Sequence, residues 1–294
     1  MKKFLLISIS LLSFLSFAAE EVEEIIVKGK VLYSDQVNAL KTPTAIVDVP
    51  QAVSIVTDED IRKQGIREIG DIVRYTPGVN TSQGEGHRDA VVFRGVRSTA
   101  DFFQDGARDD VQYYRSLYNV EQVEVLRGPN ALLFGRGGTG GIINRVTKKA
   151  TIGETFGSFD LGADDFGSTD LAIDYNTSAG ENSAFRLNAH VDALENHRDL
   201  YDGDRIGFNP TLRVEISENT TLDLSYEYAD HERFIDRGIP TANGKPVEAL
   251  KDVVFGTSDI NITTLEADIF RGSLTTDLSD TSKAVFSITS SEFE

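Results

Sequence analysis

Residues 123–149 read VEVLRGPNALLFGRGGTGGIINRVTKK, and this stretch decides the fold of the first half of the chain. Residues 123–126 and 142–146 are short β-prone runs, and residues 131–134 suit a single helical turn. The glycines at 135–140 match the G-x-G-x-x-G pattern of dinucleotide-binding proteins. That motif has to follow a strand directly and open a helix, whereas here a helical turn precedes it and a strand follows it. The glycines are therefore interpreted as a tight turn with positive φ angles, and nucleotide binding is rejected.

The residues before this stretch predict the rest of a small α+β unit. Residues 52–56 (AVSIV) are typical of a strand, and Thr57 is expected to cap a helix whose first turn is acidic. A second helix is predicted from about Ile66 to Tyr75, ending before Pro77-Gly78. Residues 91–93 (VVF) predict one further strand.

The acidic residues are distributed unevenly along the chain. Residues 1–150 hold 19 Lys or Arg and 19 Asp or Glu, whereas residues 151–294 hold 10 and 28. The whole net charge of −18 therefore lies in the second half, which predicts two structural units. An acidic surface argues against nucleic-acid binding. The absence of cysteine excludes disulfides, thiolate metal sites and cysteine nucleophiles.

The N-terminus has the features of a secretory signal peptide. Lys2 and Lys3 precede an apolar run, Phe4 to Phe17, and small residues fit cleavage after Ala18 or Ala19. A short membrane anchor is the alternative, but the run is shorter than the roughly 20 residues that a spanning helix needs. Because no other stretch of the sequence has that length, insertion into a membrane must use β-strands.

A short β-prone run follows the predicted cleavage site. It consists of Glu23, Glu24, Ile25, Ile26 and Val27. Such a run in an otherwise polar segment suits strand addition, in which a peptide docks on the sheet edge of a partner through backbone hydrogen bonds. An ordinary first strand is the alternative.

From residue 154 the sequence alternates between apolar and polar residues. Seven strands are predicted, each with one apolar face, as at residues 171, 173 and 175. Short turns alternate with outward loops; the turns lie near 178–182, 217–220 and 279–282, and the loops near 164–167, 195–204 and 232–261. The pattern is typical of transmembrane β-barrels, although a soluble β-sandwich shows the same alternation.

No arrangement of residues indicates catalysis or a metal site. The sequence contains no recognisable Ser/His/Asp set and no metal-ligand spacing. The four histidines are far apart and are interpreted as solvated loop or lumen positions: His87, His190, His197 and His231. We therefore predict that the protein is not an enzyme.

Several motifs, in their order and spacing, resemble those of TonB-dependent outer-membrane receptors, and in particular the plug of siderophore receptors. The motifs are PQAVSIVT at 50–57, YTPGV at 75–79, FRG at 93–95, VEVLRGP at 123–129, and LLFG through VTK at 132–148. The segment DFFQDGARD at 101–109 looks most like the ferric-catecholate branch of that family.

This resemblance implies an α+β plug domain followed by an antiparallel transmembrane β-barrel. The implied units are a signal peptide at 1–19, a TonB box and linker at 20–40, the plug at 41–150, and the first barrel strands at 151–294. Barrels of this kind have about 22 strands. Seven strands are then part of one barrel, and we expect the chain to be the N-terminal fragment of a receptor.

The implied function is energy-dependent import of a ferric siderophore, of the catecholate class, into the periplasm. The implied partners are the siderophore, outer-membrane lipid, and the TonB protein, which would bind the run at 23–27. The resemblance implies no cofactor and no metal site, because the iron stays coordinated by the siderophore. Receptors for haem, cobalamin or a glycan, and a truncated remnant that does not transport, are the alternatives. A passive porin conflicts with the plug and the TonB box.

The resemblance also suggests which plug residues are functional. The outward plug loops supply the candidate ligand contacts, which are His87, Arg88, Tyr113, Tyr114 and Arg115. Arginines suit an anionic ferric catecholate, and tyrosines offer flat amphipathic surfaces. Arg94 and Arg127 match family arginines that pair with barrel glutamates, and we expect those glutamates on later strands. The alternative is that these candidates are ordinary loop residues with no ligand contact.

Overall fold

The computed structural model describes residues 36–40, 44–82, 84–129, 131–135 and 138–294. The predicted signal peptide and the predicted TonB box at 23–27 lie outside these residues. We call residues 36–40 the N-terminal segment, and we keep the name plug for the domain that follows it, up to residue 150.

The N-terminal segment and the plug contain ten short strands and three helices among the described residues. The strands are β1 (Gln36–Val37), β2 (Thr44–Ala45), β3 (Ala52–Thr57), β4 (Val79–Thr81), β5 (Val91–Phe93), β6 (Val96–Ser98), β7 (Phe102–Gln104), β8 (Ala107–Arg108), β9 (Val120–Arg127) and β10 (Gly141–Thr147). The helices are α1 (Asp58–Gln64), α2 (Ile69–Arg74) and α3 (Ala131–Phe134), and short 3-10 turns lie at Ile46–Asp48 and Gly84–Gly86.

Helix α1 begins as its sequence predicts, whereas α2 is shorter than expected. The Thr57 side chain accepts from the Asp60 backbone N–H, and the Asp60 carboxylate accepts from Thr57 in return. Gly65 ends α1 with a left-handed φ of 62°, and the N–H of Ile66 then bonds back to Ile61 O at 3.0 Å. Because Ile66 completes the cap of α1, the predicted start of the second helix at Ile66 is wrong, and α2 begins at Ile69.

The plug strands form a five-stranded mixed sheet and a small three-stranded one. The first has the order β3-β9-β10-β7-β8, with β10 parallel to β7, and the second has the order β4-β5-β6. Buried Ile, Val, Leu and Phe side chains pack around them in two clusters. The glycine-rich turn has a packing role, since a Cβ on Gly140 would lie 2.7 Å from the Cβ of Phe93. Gly135 and Gly138 also have a positive φ, which supports the interpretation of these glycines as a tight turn.

The second half forms a single antiparallel sheet of seven strands, which we call the wall. Its order is β11-β12-β13-β14-β15-β18-β19, so neighbours in sequence are neighbours in space. The strands are β11 (Phe156–Ala163), β12 (Thr169–Ser178), β13 (Ser183–Glu195), β14 (Asp202–Ser217), β15 (Thr220–Phe234), β18 (Ile262–Ser279) and β19 (Ser282–Phe293). The long loop between β15 and β18 contains a short hairpin and a 3-10 turn at Glu248–Leu250. The hairpin pairs two strands of two residues each, β16 (Thr241–Ala242) and β17 (Lys245–Pro246).

Strands β12, β13 and β14 bury their polar face and expose their apolar one, whereas β18 buries Leu265, Ala267 and Ile269. On β14, Asn209 is 1% exposed while its neighbour Phe208 is 42% exposed. The same alternation places Asp174, Arg186 and His190 inside and Ile173, Phe185 and Val191 outside. The predicted period-two pattern is confirmed, and the polar face is the one that meets the plug. Within the described ranges, no helix is long and apolar enough to cross a membrane.

Candidate functional site: the plug apex and the plug–wall interface

The two plug loops that hold the ligand candidates lie side by side. The first, described at residues 82 and 84–90, contains His87 and Arg88, and the second, residues 109–118, contains the other three candidates. The Asp89 N–H donates to Tyr113 O at 3.2 Å, and the Arg115 N–H donates to the Asp89 carboxylate at 2.9 Å. We call these two loops together the apex. The structure thus brings all five candidates into one region.

Inside the apex, Arg115 holds loop 109–118 in shape. Its guanidinium is 1% exposed and donates to the Asp109 carboxylate at 2.8 Å and to the backbone carbonyls of Asp109 and Val111. It also lies 4.0 Å from the centre of the Phe102 ring and 4.5 Å from that of Tyr113. Arg115 is therefore fully engaged by the protein, and its predicted ligand contact stays a prediction.

Burial sets the titration of the acidic and phenolic groups in the apex. Burial raises the pKa of Asp89 to about 6, against the opposing effect of Arg115. Burial also acts to raise the pKa of Asp109, but the guanidinium groups of Arg115 and Arg145 outweigh it and hold that pKa below its usual value. Burial raises the pKa of the Tyr113 phenol to about 12. Asp109 is therefore the stable anion of this cluster.

The remaining ligand candidates differ in how much of each side chain is available. Arg88 pairs with Glu85, and its Nε is buried without a hydrogen-bond partner among the described residues. His87 is half-buried beside it. The ring of Tyr114 lies 4.0 Å beneath the guanidinium of Arg233, a residue of β15. Arg88 therefore keeps an unused donor, whereas Tyr114 is covered by the wall.

The two arginines expected to pair with barrel glutamates are neighbours on the plug. Arg94 is exposed and adopts a left-handed φ of 48°. Arg127 donates to Pro77 O at 2.8 Å and to Ser54 Oγ at 2.9 Å. Burial and the charge of Arg94 both lower the pKa of Arg127. In the part of the chain that the structure describes, neither forms an ion pair with an acid of the wall, so the pairing stays a prediction.

The wall and the plug make charged contacts that the sequence analysis did not identify. Glu68, at the start of α2, lies 3.2 Å from Arg233 and 3.8 Å from Arg205. Lys148 lies 3.2 Å from Asp174 of β12. Here the plug supplies the carboxylate in one pair and the amine in the other. The period-two pattern shows that the wall residues face inward, but it does not indicate their plug partners.

Two histidines lie in this interface, which corrects their interpretation as solvated. His190 is buried and stacks on Tyr118 with ring centres 4.2 Å apart. His231 is also buried, with Nε2 3.5 Å from Ser116 Oγ. Both occupy inward positions on strands, where the plug rather than water covers them. His197, in a loop, is exposed as expected.

A cavity of about 280 Å³ lies between α1 and strands β11 to β14. Acidic side chains such as Asp58 and Asp192 and basic ones such as Lys148 and Arg205 line it together. This mixture of charges suits water better than a single ion. Among the described residues, no cluster of three or more His, Asp or Glu side chains could hold a metal ion.

Comparison with known proteins identifies both halves of the chain. Residues 45–142 match the model of the TonB-dependent receptor plug domain. The probable TonB-dependent receptor BfrD of Bordetella pertussis is 33% identical over 205 residues, which is 68% of this chain and 28% of BfrD. The crystal structure of the siderophore receptor PiuA of Acinetobacter baumannii superposes with a TM-score of 0.77 at 26% identity, covering 89% of this chain and 40% of PiuA.

A second structure supports the fold alone, because its identity is low. The closed form of the ferric-catecholate import receptor Fiu from Escherichia coli K12 has a TM-score of 0.78 at 22% identity, covering 89% of this chain and 40% of Fiu. The chain thus spans less than half the length of each of these relatives. It belongs to the TonB-dependent receptors, a family of outer-membrane transport proteins that are not enzymes, and the wall is the part of the β-barrel that this chain contains.

Proposed function

We propose that this chain takes part in importing a ferric siderophore of the catecholate class, with TonB as the energy-coupling partner. The observation that carries the proposal is a plug whose apex loops are joined into one region and whose sides are fixed to the polar face of the wall. Such a plug blocks passive flow, so uptake requires that it be rearranged. The named cargo of the relatives PiuA and Fiu supports a siderophore.

The apex supports an anionic ligand. Arg88 places a guanidinium charge in the same loop as half-buried His87, and its buried Nε has no hydrogen-bond partner among the described residues. A charge-assisted hydrogen bond from a guanidinium to a catecholate oxygen is stronger than a neutral one. Arg115 supports this site indirectly, since it fixes the loop that contains Tyr113 and Tyr114.

The energy-coupling part of the proposal rests on residues 23–27, which lie outside the described residues. An extended Glu-Glu-Ile-Ile-Val run can add to a sheet edge of TonB through backbone hydrogen bonds. Proline at Ile26 removes one backbone donor and fixes φ, so it disrupts a docked strand.

The experiment measures uptake of a radiolabelled ferric catecholate by cells that carry the protein as they naturally express it. We expect Ile26→Pro to abolish uptake while surface binding persists, and the matched variant Ile26→Val to behave like the parent. Normal uptake by Ile26→Pro would contradict the TonB assignment.

A second experiment tests the cargo class by calorimetry with a ferric catecholate. Arg88→Ala should weaken binding about tenfold, because one charge-assisted hydrogen bond is lost. Arg74→Ala, which changes an exposed arginine on α2, is the control and should bind like the parent. A haem, cobalamin or glycan that binds more tightly than the catecholate would replace the proposed cargo.

A further inference from the structure

Glu124 of β9 is a completely buried acid that the proposed function does not yet use. Its side chain is 0% exposed, and both carboxylate oxygens accept hydrogen bonds. Oε1 accepts from the N–H of Asn38 at 2.6 Å, from its Nδ2 at 3.1 Å and from Gln122 Nε2 at 2.7 Å. Oε2 accepts from the N–H of Ala39 at 2.7 Å and from Asn144 Nδ2 at 3.0 Å. Within the described ranges, no Lys or Arg forms an ion pair with it, so N–H groups alone compensate this carboxylate.

The plug side of this arrangement is organised in advance. Asn144 Oδ1 accepts from the Gly106 N–H at 3.0 Å, which turns its Nδ2 toward Glu124. Gln122 Nε2 bridges Glu124 and the backbone carbonyl of Gln36, at 2.7 and 3.3 Å. Neighbouring strands β9 and β10 therefore present a fixed acceptor to whatever lies against them.

What lies against them is the N-terminal segment. Three of its backbone atoms are held by side chains of β9: Gln36 O, Asn38 N and Ala39 N. Its Val37 and Ala39 side chains are buried in one of the two plug core clusters. The segment is not a strand of the five-stranded sheet, and its own pairing with β2 covers only two residue pairs. Among the described residues, Glu124 therefore accepts three of the four hydrogen bonds that join this segment to plug side chains.

We propose that Glu124 is a positioning residue that fastens the N-terminal segment to the plug, so that a pull on residues 23–27 is transmitted to strands β9 and β10. The proposal rests on the function proposed above, in which TonB acts on those residues. Detaching the segment leaves a buried carboxylate short of its donors, which is unfavourable because a buried acceptor then lacks hydrogen-bond partners. When Glu124 is replaced, we expect the same pull to detach the N-terminal segment from the plug and to leave strands β9 and β10 in place.

The attachment can be measured without TonB or ligand. The chain has no cysteine, so Ala39→Cys provides a single buried reporter in the purified protein. A maleimide should label this reporter slowly when Glu124 is present and about tenfold faster in Glu124→Gln, which places an amide N–H against N–H donors. The control Glu121→Gln changes an acid of the same strand that faces Arg186, and its labelling rate should equal that of the parent. Equal rates for Glu124→Gln and the parent would overturn the proposal.

A second variant covers the case in which Glu124→Gln does not fold. Ala39→Pro leaves every plug side chain in place and removes one N–H from the segment, with Val37→Cys as the buried reporter. Faster labelling of Val37→Cys in Ala39→Pro supports fastening by the carboxylate, and unchanged labelling contradicts it.

Uptake by cells separates this inference from the proposed function. We expect Glu124→Gln to bind a ferric catecholate like the parent and to import it about tenfold more slowly. If Glu124→Gln is labelled faster but imports the ferric catecholate at the rate of the parent protein, the pull does not pass through Glu124. The proposed function would still stand. A parent that imports no ferric catecholate would refute the proposed function and the transmitted pull with it, while the labelling rates would still decide whether Glu124 fastens the segment.

Discussion

The core clusters of the plug and the inward faces of strands β12 to β14 of the wall bury different kinds of side chain. The plug packs Ile, Val and Phe into its two core clusters, as water-soluble domains do. The wall buries Asp174, Arg186 and Asn209 and exposes Ile173 and Phe208. Both halves follow the hydrophobic effect, but the outer surface of the wall faces lipid rather than water. The comparison teaches that burial must be judged against the surrounding medium and not against residue type.

This difference also explains how the two halves meet. The polar face of the wall requires hydrogen-bond partners, because an unpaired buried polar group is costly. The plug supplies them from short loops and helix ends, as with Glu68 against Arg233 and Asn119 Nδ2 against Asn209 at 3.2 Å. The interface is therefore polar, and its buried groups depend on partners from the other half.

The largest effect should come from breaking the apolar core of the plug. Phe93 is 0% exposed and packs against Gly140 and Gly141, so Phe93→Ala leaves a cavity. We expect a loss of about 3–5 kcal/mol in the free energy of unfolding of the plug. Urea titration followed by near-UV circular dichroism measures it, with Phe93→Leu as the control at under about 1.5 kcal/mol. A loss for Phe93→Ala no larger than that of the control would show that this cluster is not the core.

The next effect should come from placing a charge on the outer face of the wall. Phe208→Arg puts a guanidinium on the face assigned to lipid, and we expect a loss of about 2–4 kcal/mol in stability in bilayers. Thr257→Arg, in the long outward loop, is the control and should leave stability unchanged. If Phe208→Arg is as stable as the control in lipid vesicles, the outer face does not meet hydrocarbon.

A pH effect of about 2–3 kcal/mol is expected from Asp89 in the apex. Its folded pKa of about 6 lies above the unfolded value of about 3.9, so the folded state binds the proton more tightly. The contribution of Asp89 to stability is therefore present below pH 4 and is lost as the pH rises from about 4 to 6. Asp89→Asn should remove this dependence. Stability curves of parent and variant that run parallel between pH 4 and 7 would contradict it.

The smallest effect should come from the loops on the outward side of the wall. Arg198 donates to the Asp236 carboxylate at 2.6 Å and to the carbonyls of Lys251 and Val253, which joins two loops. Because it joins loops that can open locally, rather than elements of the core, it should contribute about 1 kcal/mol or less to global stability. We expect Arg198→Ala to show its effect instead as faster proteolysis in residues 235–261. An unchanged cleavage rate would show that Arg198 does not restrain this loop.

Sequence reasoning predicted the wall better than the site. The seven strands follow from period-two alternation, which depends only on neighbouring residues, and so do the inward and outward positions on β12 to β14. The plug required the motif resemblance as well, and the start of α2 was misplaced because Ile66 caps α1 instead. Pairs such as Glu68 with Arg233 join residues far apart in sequence, and no local pattern indicates which polar residues meet. For the same reason Glu124 could not be recognised as the partner of Asn38 and Ala39.

The central claim is that the wall has lipid on one side and the plug on the other. Spin labels on single cysteines at consecutive positions of β14, residues 205–210, test it in bilayers, since the chain has no cysteine of its own. The claim predicts that collisions with oxygen, which concentrates in lipid, are frequent at 206 and 208 and rare at 205, 207 and 209. It also predicts little access for a water-soluble nickel reagent at 206 and 208. Free access of the nickel reagent to those outer positions, or the loss of the two-residue period, would contradict the account.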